Sequence, residues 1–261
     1  MTEDYRLFSE PFAFHPHTLV NFVGGGGKTA LIHKLMQEYS AQGTAFYTAT
    51  TRIHPPDPKD GFAVVSSDNV DLLRQILDSI VLCCPNRPFK LAVTRHYLSP
   101  TLLRGVPPDF DNTIDRKCFP ILLNEADGSA GFSIKMPKDM EPVLMQNAEY
   151  LVPVIGSDCL YRPLGPEVIF RWEIFTEHFP ARAGERLTPQ LAADILMHVR
   201  GVCKDCRPGT KIIPFINKVD SPEQDAAARE LGQKILHNRN FPVDRVLFGS
   251  VLQGRIESIS A

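Results

Sequence analysis

Leu19-Val20-Asn21-Phe22-Val23-Gly24-Gly25-Gly26-Gly27-Lys28-Thr29 is an apolar run that ends in four glycines, a lysine and a hydroxyl residue. Immediately downstream the apolar positions fall at Leu31, Ile32, Leu35, Met36 and Tyr39, the spacing of one helix face. Strand, glycine turn and helix therefore follow one another within about twenty residues. Successive glycines let a backbone curl so that its N–H groups converge on an anion. The helix that starts there adds its own unpaired N–H groups and the positive end of its dipole. A lysine and a hydroxyl at that point suit a phosphate chain and Mg²⁺, which is the logic of a P-loop. Gly24, Gly25, Gly26, Gly27, Lys28 and Thr29 are thus expected to bind a nucleoside triphosphate, with Thr29 on the metal. The spacing departs from G-x-x-x-x-G-K-[ST], because Phe22 stands where the first glycine belongs.

Working outward, Thr44 to Thr48 reads as a second strand after a stop at Gly43. Ser66-Ser67-Asp68 offers caps for a helix with an apolar stripe at Val70, Leu72, Leu73, Ile76, Leu77 and Ile80. Phe89 to Thr94, Phe119 to Leu123 and Tyr150 to Ile155 read as further strands, Pro153 arguing for an edge or terminal place for the last. Thr188-Pro189 and Ser221-Pro222 are helix starts, the first with Leu191, Ile195, Leu196 and Val199 inward and Gly201 closing it. Lys211 to Ile216 and Arg245 to Phe248 complete the strands, while 156–186 is irregular and carries no assigned element. Strands alternating with helices predict an α/β fold, P-loop NTPase-like, with a mostly parallel sheet covered on both faces. One domain over residues 1–261, with an irregular insertion around 156–186, is the expected organisation.

Charge is nearly balanced, 28 basic against 30 acidic residues, so there is no broad electrostatic case for nucleic acid. No apolar run approaches the roughly 20 residues that span a bilayer, and Met1 to Pro16 lacks the pattern of a signal peptide. A cytoplasmic protein without membrane or nucleic-acid partners is the expectation. The six cysteines, Cys83, Cys84, Cys118, Cys159, Cys203 and Cys206, then read as reduced thiols. Cys203-Lys204-Asp205-Cys206 has metal-site spacing, but a single such pair is two ligands short of a zinc site.

Ile121-Leu122-Leu123-Asn124-Glu125-Ala126-Asp127 is an apolar strand ending in two acids. Nucleotide hydrolysis needs a carboxylate at the end of a neighbouring strand to hold Mg²⁺ or its water. Glu125 and Asp127 alternate and so face one side, which makes both candidates for metal binding and for catalysis with Lys28. Thr48-Ala49-Thr50-Thr51-Arg52 follows the second strand, where Arg52 could neutralise charge developing in phosphoryl transfer. Asn217-Lys218-Val219-Asp220 matches N-K-x-D, a guanine-reading turn in which Asp220 accepts from the base, Lys218 packs beside it and Asn217 completes the set.

On Val23 to Thr29, Thr48 to Ile53, Asn124 to Gly128, Lys135-Met136-Pro137 with Glu141-Pro142, and Asn217 to Asp220, the chain resembles the YqeC-type family of selenium-dependent hydroxylase accessory proteins. The resemblance runs from about Val20 to Gly249. It departs at Ala30, where a second threonine is common, and at Ala130-Gly131-Phe132-Ser133, where an Arg-Gly-Arg-Pro-like segment is common. It implies a Mg²⁺-dependent, nucleotide-binding maturation or cofactor-loading factor, partnered with a molybdenum hydroxylase or its maturation factors. The Asn217 to Asp220 turn tilts the nucleotide from ATP toward GTP. Two other readings stay open: a small-molecule kinase that clamps its acceptor with Arg52 and Lys135, and a metal or thiol carrier built on Cys203 and Cys206, with nucleotide as a structural ligand.

Overall fold

The computed structural model describes residues 7–84, 87–180 and 184–260; the first six residues of the N-terminal stretch considered above lie outside the described residues. The elements in chain order are β1 (Thr18–Gly24), α1 (Lys28–Tyr39), β2 (Thr44–Ala49), β3 (Phe62–Ser66), α2 (Val70–Cys83), β4 (Phe89–Thr94), β5 (Tyr97–Ser99) and β6 (Leu102–Leu103). There follow β7 (Ile121–Glu125), β8 (Ile134–Lys135), β9 (Tyr150–Gly156), β10 (Ile169–Phe170), α3 (Trp172–His178) and α4 (Pro189–Leu196). β11 (Lys211–Ile212), β12 (Phe215–Asn217), α5 (Pro222–Leu236), β13 (Arg245–Ser250) and β14 (Arg255–Ser260) close the chain.

Among the described residues ten strands form one sheet, in the order β14-β13-β12-β9-β1-β7-β2-β4-β3, with β11 also on β9. Every pairing is parallel except β13 with β14. This is the α/β architecture expected of a P-loop NTPase-like chain. β2, β4 and β3 lie to one side of β1, and β9, β12 and β13 to the other. The chain thus leaves β1 in opposite directions, and in such sheets the crevice beyond the carboxyl ends of the strands is where ligands sit.

Amphipathic patterning explains the layers. Leu31, Ile32, Leu35 and Met36 of α1 are fully buried against Val20, Phe22 and Tyr47 on one sheet face. The other face is covered by α2 through Leu73 and Leu77, and by α4 and α5 through Ala192, Ile195, Ala228 and Leu231. Each fully buried Leu or Ile contributes roughly 1.5–3 kcal/mol, so the α1 face alone ties the helix firmly behind the glycine turn.

Several local expectations need correction. Asn69 caps α2, its Oδ1 accepting from Leu72 N at 3.1 Å, while Asp68 is engaged by Arg95 and His96. Val199 is exposed, because α4 ends at Leu196 and the helical spacing stops with it. β9 is an interior strand with Pro153 in its middle. The sheet accommodates this because the neighbouring strand breaks there: Ile212 pairs with Leu151 and Phe215 with Val154, leaving Pro153 opposite Pro214. Neither proline has an N–H to donate, so the ladder gap costs no unpaired donor. β3, β14 and α3 were not read from the sequence; α3 falls in the stretch taken as irregular, held by Trp172, Phe175 and Phe179 rings about 5 Å apart.

Candidate functional site

β1 runs two residues past Phe22, so that only Gly25, Gly26 and Gly27 separate it from α1. Phe22 is fully buried on the α1 face, which is why the strand continues where a longer loop would have begun. The short turn packs tightly onto its neighbours. At Gly26, φ is +68° and a Cβ would lie 2.2 Å from the Gly156 nitrogen, so only glycine fits.

The glycine amides are already employed. Gly24 N donates to both oxygens of Asp127, at 3.0 and 3.1 Å; Gly25 N donates to the Val154 carbonyl and Gly26 N to the Phe132 carbonyl. The anion cradle expected from four glycines is therefore not formed by Gly24, Gly25 and Gly26 in this conformation. The donors facing outward belong to the start of α1, where Gly27 supplies no side-chain cap and no acidic residue occupies the first turn. The departing segment Ala130 to Ser133 contributes backbone here: besides the Phe132 carbonyl, Ser133 O accepts from Gly156 N.

Lys28, at the first position of α1, is buried with its Nζ 2.6 Å from the Gly24 carbonyl, 3.1 Å from Asp127 and 3.8 Å from Glu125. Thr29 is exposed, and its hydroxyl donates to Glu125 at 2.9 Å. Tyr47 of β2 donates its phenol to the same carboxylate at 3.1 Å, a contact that nothing in the sequence signalled. Burial pushes the Glu125 carboxyl above the usual range, opposed by the Lys28 charge and the hydrogen bond from Thr29. Burial, with the adjacent Glu125, likewise pushes the Tyr47 phenol up. Glu125 and Asp127 thus come to one side, as their alternation predicts, and meet at Lys28.

Their surroundings separate them. Asp127 is fully buried, with Lys28 on one oxygen and Lys135 on the other, both at 3.1 Å, as well as the Gly24 amide. With a lysine on each oxygen, Asp127 offers no free oxygen to Mg²⁺ in this conformation and acts as a clasp on the glycine turn. Lys135 is itself buried, bonded to the Gly128 carbonyl at 2.6 Å and to Glu141 at 3.0 Å, and therefore cannot clamp an acceptor molecule. Arg171, unforeseen from the sequence, closes the chain of charges with two 2.6 Å bonds to Glu141. Burial would raise the Glu141 carboxyl, yet the Arg171 hydrogen bonds and the Lys135 charge hold it down at about 2.

Asn217 sits at the end of β12 and stitches two turns together. Its Nδ2 donates to the Gly26 carbonyl at 2.8 Å and its Oδ1 accepts from Val251 N at 3.1 Å. Lys218, in the left-handed region at φ +62°, reaches Ser133 at 2.7 Å and Asp158 at 2.9 Å. Asp220 is exposed. The structure therefore brings Asn217 to the glycine turn and leaves the Asp220 carboxylate facing water.

Arg52 is exposed beyond β2, with no side-chain partner among the described residues. Of its neighbours, Thr48 and Thr50 spend their hydroxyls on the Val93 and Val143 carbonyls, whereas the Thr51 hydroxyl is buried without a partner. Cys203 is fully buried and Cys206 half-buried, and burial pushes both thiols up. Burial thus favours the protonated thiols in the absence of a metal, which weighs against the carrier reading of that pair. Among the described residues no three His, Cys, Asp or Glu side chains gather as a metal cage. None of the helices there is long and apolar enough to cross a membrane.

The lysine, both acids and Arg171 all fall within one stretch of recognisable ancestry. A family model described as YqeC protein matches residues 20–173. An Escherichia coli (strain K12) protein, Uncharacterized protein YqeC, is 26% identical over 236 residues, covering 90% of this chain and 88% of that one. On a match that takes in the glycine turn, the acidic strand end and the lysine–glutamate–arginine cluster, the chain belongs to the YqeC family.

Proposed function

We propose that this protein binds a Mg²⁺–nucleoside triphosphate at the start of α1 and hydrolyses it, GTP in preference to ATP, as an accessory factor in the maturation or cofactor loading of selenium-dependent molybdenum hydroxylases. The observation that carries the nucleotide reading is the buried Lys28 beside Thr29 and Glu125 at a helix start that no side chain caps. An uncapped helix start with a lysine attached favours a phosphate chain. The maturation setting is supported by the family resemblance.

The donor set fits Mg²⁺, which takes one or two protein oxygens and completes its shell with phosphate and water. Thr29 Oγ1 and a Glu125 oxygen would hold it, being already within hydrogen-bond distance of each other. When bound, the ion draws charge from the phosphate oxygens. Lys28 then moves its ammonium from the Gly24 carbonyl to the phosphates, and the outward N–H groups of α1 hold the same chain. Arg52, exposed and without a partner among the described residues, is available to balance charge as the terminal P–O bond breaks. Asp220 is exposed three residues after the Asn217 stitch and accepts from a guanine edge, with Lys218 beside it.

Calorimetric titration of GTP and ATP, with and without Mg²⁺, against wild type and Asp220→Ala tests this reading. The expected result is Mg²⁺-dependent binding with a guanine preference that Asp220→Ala removes. A preference that survives the substitution refutes the role given to Asp220. Absence of binding to either nucleotide refutes the whole reading.

A further inference from the structure

Two buried ammonium groups meet on opposite oxygens of one buried carboxylate, and they are not equivalent. Lys135 has three acceptors for its three protons: Asp127 at 3.1 Å, Glu141 at 3.0 Å and the Gly128 carbonyl at 2.6 Å. Glu141 is in turn held by the Arg171 fork, so Lys135 is anchored. Lys28 has two close acceptors, the Gly24 carbonyl and Asp127, and only a long 3.8 Å approach to Glu125. It is the looser of the two cations, and the one adjoining the helix start. A buried carboxylate with a single counter-ion would retain it, because separation leaves an uncompensated charge in a poorly polarisable interior. A second, fixed cation removes that obstacle.

We propose that Lys135 is a positioning residue for the phosphate site: it keeps Asp127 compensated, so that Lys28 can leave that carboxylate for a phosphate. This rests on the nucleotide reading above for its consequence, but not for the shared carboxylate itself. Glu141 and Arg171 serve the same end by fixing Lys135, which accounts for a lysine, a glutamate and an arginine converging behind Asp127. The arrangement also explains why Asp127 contacts the Gly24 amide with both oxygens. The carboxylate is pinned to the turn from which Lys28 departs.

Two measurements decide it. A double-mutant cycle on denaturant stability with Lys28→Met and Lys135→Met needs no ligand. If the two cations share Asp127, either alone suffices, and the double variant loses more than the sum of the singles. Asp127→Asn in that background then suppresses the excess. Additive singles overturn the proposal, whatever nucleotide does. In parallel, calorimetry should find Mg²⁺–triphosphate affinity weakened roughly tenfold in Lys135→Met. It should be restored in Lys135→Met/Asp127→Asn and retained in Lys135→Arg; a merely structural lysine would not be rescued by neutralising its partner. Unchanged affinity in a folded Lys135→Met protein also overturns the proposal. Wild type that binds no triphosphate refutes the nucleotide reading instead, while the stability cycle still decides whether the carboxylate is shared.

Discussion

Among the helices that begin directly after parallel strands on the carboxyl side of the sheet, α1 and α5 begin differently. α5 is completed by its own side chains: Ser221 accepts from Gln224 N, Pro222 removes a spare donor, and Glu223 and Asp225 oppose the dipole. α1 has a left-handed glycine in the capping place, no acid in its first turn and a buried lysine instead. One helix start is internally satisfied, and the other leaves donors and positive charge uncompensated by anything of its own. Asn217 belongs to the satisfied unit and holds the unsatisfied one, through the Gly26 carbonyl. On the proposed reading the satisfied start is scaffold, and the unsatisfied start is where an anion from outside would complete the structure.

The largest effect is expected where the open start is pressed against the sheet. Gly26→Ala would force a Cβ to 2.2 Å from the Gly156 nitrogen at φ +68°, with backbone that cannot yield. Overpacking and a left-handed alanine together cost about 3–5 kcal/mol, read as a fall in denaturant midpoint. Gly209→Ala, at φ +88° with nothing within 4 Å, should cost only about 1–2 kcal/mol. Equal losses would show that close packing is not what the glycine turn requires. Next comes Lys28→Met, expected to remove roughly 3 kcal/mol, or about a hundredfold, of Mg²⁺–triphosphate affinity measured by calorimetry. Far-UV circular dichroism should be unchanged, because Lys135 still compensates Asp127.

Acid titration separates the two regions again. Glu141 sits at about 2 in the folded protein against 4.5 ordinarily, because the Arg171 bonds and the Lys135 charge outweigh its burial. A carboxyl lower in the folded state contributes its full stability above the ordinary value and loses it as pH falls toward the folded one. Between about pH 4.5 and 2 the wild type should therefore shed on the order of 2–3 kcal/mol through this group alone. In Glu141→Gln that part of the slope disappears. Glu223 at the start of α5 is also shifted down, by the Ser221 hydrogen bond, but it is exposed. Glu223→Gln should leave the acid limb in place, and a flattened limb there would contradict the contrast.

What could be read from the chain was what is local. Leu31, Ile32, Leu35 and Met36 declare the α1 face by spacing, and all four are fully buried. Glu125 and Asp127 declare a common side by alternation, and both reach Lys28. What could not be read was pairing between distant segments. Pro153 argues for an edge until Pro214 is found opposite it in the next strand. β3 exposes most of its residues at a sheet edge, and its apolar run, Phe62-Ala63-Val64-Val65, is only four residues long and does not alternate with polar ones as a half-exposed strand would. Asp127 looks like a metal ligand from its place at a strand end. Only the fold brings Lys135, eight residues on, to the same carboxylate, and Arg171 to Glu141 across thirty residues of chain. No spacing rule connects those positions.

The smallest effect is expected at the satisfied helix start. Ser221→Ala removes one capping acceptor, the bond from Gln224 N at 3.3 Å. The turn keeps a second bond in which Asp220 N donates to Gln224 Oε1 at 2.8 Å, and Pro222 continues to preset the first turn. The loss should be about 1 kcal/mol in thermal or denaturant unfolding. Triphosphate affinity should not change, because Asn217 holds Gly26 from β12, ahead of the cap. If Ser221→Ala weakened Mg²⁺–triphosphate binding as far as Lys28→Met does, the cap of α5 would be part of the ligand site, and the division of labour between the two helix starts would be wrong.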